Sequence, residues 1–155
     1  MAPMQTNLRK QYLWSLAWEI RNTAARLDRC RALICETVGL NPERWNALAV
    51  LCRSTHFLSI SDLARQLRRS RQSTHSLALG LERDGWIRFL PNPDDRRLLQ
   101  MEPTNSGRRI LADIEHRYNT CLLTMWYDLG MRELLELRKT LRVIREHIAR
   151  ARDLL

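Results

Sequence analysis

Lysine is nearly missing from this 155-residue chain, and glycine and aromatic residues are scarce. Of the 26 basic residues only Lys10 and Lys139 are lysines, and the rest are arginines, which suit bidentate contact with phosphate or guanine. With only 5 glycines, no phosphate-cradling loop is visible. The four cysteines, Cys30, Cys35, Cys52 and Cys121, form no C-x-x-C pair and share no zinc-type spacing with histidine, so no metal or cofactor is expected. All four fall in apolar or helical patterns, which reads as reduced, packed thiols. No apolar run approaches the roughly 18 residues of a membrane span, and Met1 to Lys10 lacks the apolar stretch of a signal peptide. The expectation is a cytoplasmic protein that meets no membrane. Cys121 and His116, five apart on one helical pattern, read as packing and surface and not as nucleophile and base, so no enzyme is expected.

What is present is an apolar fraction of 45% and a net charge of +9. The first suits a folded core. The second attracts phosphate backbones, anionic membranes or acidic partners alike. The basic excess is spread along the chain: residues 1–61 hold 8 basic and 4 acidic groups, 62–100 hold 8 and 5, and 101–155 hold 10 and 8. No repeat and no Gly/Ser-rich linker divides it.

Apolar residues Leu13, Leu16, Ile20, Ala24, Leu27 and Ile34 predict one long amphipathic helix ending near Gly39. Asn41-Pro42-Glu43 is a helix start, with a cap, a proline at the first helical position and an acid at the positive end. That second helix should reach about Arg53. Two further helices, from Ser59 to Leu67 and from Ser70 to Asp84, are separated by the short turn Arg68-Arg69. Gly85 stops the second. Trp86 to Phe89 and Leu98 to Glu102 then predict a hairpin around Pro91-Asn92-Pro93-Asp94-Asp95. Thr104 caps a helix expected to end at Gly130. The last helix carries Leu134, Leu137, Leu141, Ile144, Ile148, Ala151 and Leu155 three and four apart, a heptad-like seam that wants a partner helix.

A short helix, a tight turn and a second helix that begins in small polar residues is the geometry that places a recognition helix in the major groove. Ser70 can cap it. Arg71, Gln72, Ser73, Thr74 and His75 supply donors and acceptors able to reach base edges and phosphates, while Leu77 and Leu81 turn inward. At the hairpin tip, Arg96 and Arg97 can enter a minor groove, or the tip can be simply a charged, exposed turn. Asp95 beside Arg97 reads as an orienting partner.

Asp62-Leu63-Ala64-Arg65-Gln66-Leu67, Ser70-Arg71-Gln72-Ser73-Thr74 and Leu81-Glu82-Arg83-Asp84-Gly85-Trp86-Ile87 resemble the helix pair of the MarR family of winged helix-turn-helix regulators. Pro91-Asn92-Pro93-Asp94-Asp95-Arg96-Arg97, followed by Pro103-Thr104-Asn105-Ser106-Gly107, resembles the family's wing and the start of its next helix. The resemblance implies a mainly α fold with a small β-hairpin wing: a winged helix-turn-helix lobe over 41–103, with helices 8–39 and 104–155 joining two copies within one MarR-like domain. It also implies a homodimeric transcriptional regulator, read as a repressor, on a palindromic double-stranded DNA operator, with Arg97 in the minor groove and Asp95 orienting it. Arg68 and Arg69 depart from the family, which has a small and an apolar residue at these positions. They can add phosphate contacts, or Arg69 can tilt the helix pair.

Family members release DNA on binding small aromatic or phenolic effectors or on cysteine oxidation. Trp14, Trp18, Trp45 and His56 lie in segments that can border an effector pocket, although aromatics at helical spacing are more often core. Arg29 and Arg31 make Cys30 and Cys35 the candidates for a redox-sensing alternative. A second alternative is a winged-helix module whose arginine surface meets an acidic protein.

Overall fold

The computed structural model describes residues 3–93 and 98–152. The chain forms two units, Met1–Tyr118 and Asn119–Leu155. In order along the chain come α1 (Pro3–Glu36), α2 (Pro42–Arg53), β1 (Leu58–Ser59), α3 (Ile60–Leu67), α4 (Arg71–Arg83), β2 (Ile87–Pro91), β3 (Leu99–Pro103), α5 (Asn105–Met125) and α6 (Met131–Arg152). A mainly α fold with a small β wing is what the residue pattern predicts, and the elements fall in the predicted order.

The first unit has a continuous core. Leu48 of α2, Leu63 of α3, Ala78 and Leu81 of α4, Ile87 of β2, Met101 of β3 and Ile114 of α5 are all buried in it. The sheet is antiparallel in the order β1-β3-β2. Its hairpin pairs Ile87 with Pro103 and Phe89 with Met101. Strand β1 was not predicted: at two residues, Leu58 opposite Met101 and Ser59 opposite Gln100, it is too short for any alternation to register.

Three helices end in the same closure. After α1, Leu40 N–H donates to Cys35 O and Gly39 N–H to Glu36 O. After α4, Trp86 N–H donates to Leu81 O and Gly85 N–H to Glu82 O. After α3, Arg69 N–H donates to Ala64 O and Arg68 N–H to Arg65 O. This pair of bonds needs one residue in the left-handed region. Gly39 (φ 72°) and Gly85 (φ 73°) supply it for the first two, and Arg68 (φ 54°) for the third.

The wing is fastened to α5 at one node. The Thr104 hydroxyl donates to Gly85 O at 2.8 Å and accepts from Gly107 N–H at 3.0 Å. Thr104 N–H donates to Trp86 O at 3.0 Å. A side chain at position 107 would put its Cβ 2.1 Å from the Trp86 carbonyl oxygen, so the Pro103-Thr104-x-x-Gly107 run is a docking joint for the backbone.

The helix predicted to end at Gly130 ends at Met125. Trp126 N–H still donates to Leu122 O, but Gly130 belongs to the next helix: its N–H donates to the Glu133 carboxylate at 2.8 Å and its carbonyl accepts from Leu134 N–H. That is half of a capping box for α6.

Two long faces lie open in a single chain. On α1, Tyr12, Leu13, Trp14 and Trp18 are exposed, Trp14 by 80%. In the second unit, Leu137, Leu141 and Ile148 of α6 are exposed. An open apolar groove of about 990 Å³ there is lined by Leu122, Trp126, Leu134 and Leu141 among others. Among the described residues no helix is long and apolar enough to cross a membrane.

Gly107→Ala should lower stability by about 2 kcal/mol, since the clash is with backbone and cannot be relieved by a rotamer change. Thermal unfolding followed by circular dichroism checks this, and an unchanged midpoint would remove the joint's importance.

Candidate nucleic-acid interface

The helix pair is built by two side-chain caps. Ser59 and Asp62 form a reciprocal capping box at the start of α3, which holds the Asp62 carboxyl below its usual range, chiefly through the Ser59 hydroxyl. Ser70 caps α4, its hydroxyl accepting from Ser73 N–H at 3.2 Å. Ala64 is buried, so α3 approaches α4 closely.

The outer face of α4 carries Arg71, Gln72, His75, Ser76 and Leu79, all exposed. Ser73 is half-buried. Thr74 differs from its prediction as a groove-facing residue: it is fully buried, and its hydroxyl donates to Ser70 O at 2.9 Å. Helical period explains the difference, because 74, 77, 78 and 81 share the core face. Ser76 and Leu79 were missed. Their spacing from Gln72, four and seven residues, is the signal that would have found them. Leu79 is 45% exposed, so its branched side chain stands outside the core.

No acidic residue occupies the first turn of α4, whereas Glu43 and Asp62 stand in the first turns of α2 and α3. The positive end of the α4 dipole is therefore left unneutralised by its own first turn. Arg68 and Arg69 precede it. Arg68 is exposed and has no ion pair among the described residues. Its left-handed backbone costs an arginine about 1 kcal/mol or more relative to glycine. Arg69 instead pairs with Glu43 at 2.8 Å, and this bond lowers the carboxyl pKa of Glu43.

On the wing, Arg88 and Glu102 face each other across the hairpin and form an ion pair. The predicted Asp95, Arg96 and Arg97 lie outside the described residues.

The four effector candidates are not gathered into one cavity. Trp14 and Trp18 stand exposed on α1, with Arg21 stacked on the Trp18 ring. His56 is exposed in the loop before β1. Trp45 is a core residue, 8% exposed, with its ring edge-on to Tyr118 at 5.2 Å. None of the four lines the groove of the second unit. The thiol reading of Cys35 also changes: burial pushes its pKa up, outweighing the pull of Arg31.

Residues 38–98 match the profile of the MarR family. The transcriptional activatory protein BadR of Rhodopseudomonas palustris is 34% identical over 97 residues, covering 61% of this chain and 55% of BadR. The transcriptional repressor MprA of Escherichia coli is 30% identical over 110 residues, covering 70% of this chain and 62% of MprA. The chain thus spans less than two thirds of the length of either relative. Among solved structures, a MarR family protein from Bacillus stearothermophilus superposes with a TM-score of 0.75 at 17% identity, over 90% of this chain and 97% of that one.

In the folded protein Cys35 should react with a thiol reagent such as DTNB no faster than the core opens, because a fully buried thiol with a raised pKa offers almost no thiolate. Rapid labelling of Cys35 under native conditions, read by peptide mass spectrometry, would restore the redox reading.

Proposed function

We propose that this chain, whose residues 38–98 match the MarR family, is a homodimeric transcriptional regulator of that family that binds duplex DNA with α4 in the major groove. The observation that carries the reading is Arg68. Two of the three equivalent helix closures use glycine, and the third keeps an exposed arginine in a left-handed turn, at the entrance to a helix whose outer face is Arg71, Gln72 and His75. Backbone strain held at a surface arginine, with no partner among the described residues, fits a phosphate contact.

In this reading Arg71, Gln72 and His75 meet base edges and phosphates, Ser70 and Ser73 order the helix start, and Leu79 meets a thymine methyl or sugar. Arg96 and Arg97 reach the adjacent minor groove, with Asp95 holding Arg97. A second copy of the chain covers the exposed apolar face of α1 and the three-and-four seam of α6. Two copies present two α4 helices to half-sites about 10 base pairs apart, so the preferred duplex is palindromic. One of the two relatives is an activatory protein and the other a repressor.

Selection from a random duplex library should return one palindrome, bound by a dimer in sedimentation analysis and weakening steeply with salt. Failure to enrich any sequence, or binding as a monomer, would end the proposal. Arg68→Gly should leave the thermal midpoint equal or higher, yet weaken binding and reduce the slope of log affinity against log salt by about 1. Arg97→Ala should weaken binding to the selected palindrome with the dimer intact, and an unchanged affinity would favour a protein-interaction role.

A further inference from the structure

Two neighbouring residues at the start of α2 hold the two ends of α4. Glu43 accepts from the Arg69 guanidinium at 2.8 Å, immediately before α4 begins. Arg44 donates to Asp84 at 2.7 Å, immediately after α4 ends. Both Arg44 and Asp84 are largely buried at the side chain, 19% and 25% exposed, and Arg83 adds a second, longer contact to Asp84 at 3.6 Å. The Arg44 guanidinium crosses α4 against Gly80, where a Cβ would lie 2.2 Å from Nη2 and 2.7 Å from Cζ.

Glycine inside a helix costs about 0.5–1 kcal/mol relative to alanine, and Gly80 sits inside α4, one turn before its end at Arg83. Its backbone shows no positive φ, so the turn does not need it. The passage of Arg44 does. The base of this arrangement is firm: Asn41 caps α2 through Arg44 N–H at 2.8 Å and Pro42 fixes the first helical φ. One rigid helix end therefore sends one charged arm to each end of the recognition helix.

We propose that Glu43 and Arg44 are positioning residues that set the angle of α4 on the lobe, with Arg69 as a strut to Glu43 and Gly80 as the channel for Arg44, and that specific recognition of duplex DNA depends on both arms. This rests on the reading of α4 as a DNA reader. A positioning role differs from a contact role in what it alters. Phosphate contacts weaken specific and non-specific binding together, whereas a tilted recognition helix weakens specific binding alone.

The probes are the palindrome selected by the wild-type protein and a scrambled duplex of the same length and composition. Glu43→Gln and Arg44→Met should each lower the ratio of specific to non-specific affinity by about three- to fivefold, the scale of one partly exposed ion pair. Amide exchange should quicken at residues 71–74 in Glu43→Gln and at residues 81–84 in Arg44→Met. Gly80→Ala should lower the ratio similarly with an equal or higher thermal midpoint, because alanine favours the helix while its methyl displaces Arg44. The exchanged pair Glu43→Arg with Arg69→Glu keeps net charge constant and should recover most of the ratio.

Tighter binding of Glu43→Gln to both duplexes, with a steeper salt dependence, would overturn the inference and make Arg69 a phosphate contact restrained by Glu43. An unchanged ratio in Glu43→Gln or Arg44→Met, or no recovery in the exchanged pair, would overturn it too. If the wild-type protein selects no duplex, the DNA reading fails and amide exchange alone decides the clamp: quickened exchange at the matching ends supports it, and unchanged exchange overturns it.

Discussion

The close approach of Gly107 to the Trp86 carbonyl, secured by the Thr104 hydroxyl between Gly85 and Gly107, is the constraint on which the winged lobe depends. It joins three things at one point: the end of α4, the start of β2 and the start of α5. The hydroxyl satisfies the Gly85 carbonyl of the turn that closes α4 and an amide left over at the start of α5, groups that would otherwise need water. Because β2 starts at this joint and pairs along its length with β3, the direction of the wing is fixed by the same contact that ends α4. Packing behind it is continuous, with Leu81, Ile87, Met101 and Ile114 each buried at 2% exposure or less.

The surface of α4 is arranged differently from its core side. Inward, Thr74, Leu77, Ala78 and Leu81 are closed off, and even the buried threonine hydroxyl is satisfied within its own first turn. Outward, the helix offers arginine, amide, imidazole and hydroxyl groups with no carboxylate in its first turn. Carboxylates are nonetheless near both ends, on Glu43 and Asp84, and each is occupied by an arginine. These two carboxylates are thereby used internally, which leaves the first turn of the outer stripe basic, while the exposed Glu82 stands in the last turn.

Much of this was legible from residues alone, for identifiable reasons. Capping signals are local, so Asn41-Pro42, Ser59, Ser70 and Thr104 located four helix starts to within a residue. Gly85 marked the end of α4 because its backbone must turn left-handed there. What was not legible depends on through-space partners. Nothing in the spacing of Glu43 and Arg69 shows that they meet, and nothing in the sequence of α4 shows why Gly80 is tolerated. Gly130 was misread because glycine both ends and begins helices, and only the bond from its amide to Glu133 tells which. Trp45 illustrates a related limit: an aromatic at helical spacing is more often core than pocket, but its edge-on contact with Tyr118, which decides the matter, is a tertiary fact.

Helix α1 spans 34 residues, a rod of about 50 Å at 1.5 Å per residue, and its outer half exposes tyrosine, leucine and tryptophan. Such a rod gains little from its own lobe over that length. Where a second copy supplies the missing cover, folding becomes a bimolecular equilibrium, and the unfolding midpoint rises with the logarithm of protein concentration. The number of chains in the cell then sets how much of the protein is assembled and, under the proposed function, how much DNA is occupied, so a modest fall in copy number would be felt twice.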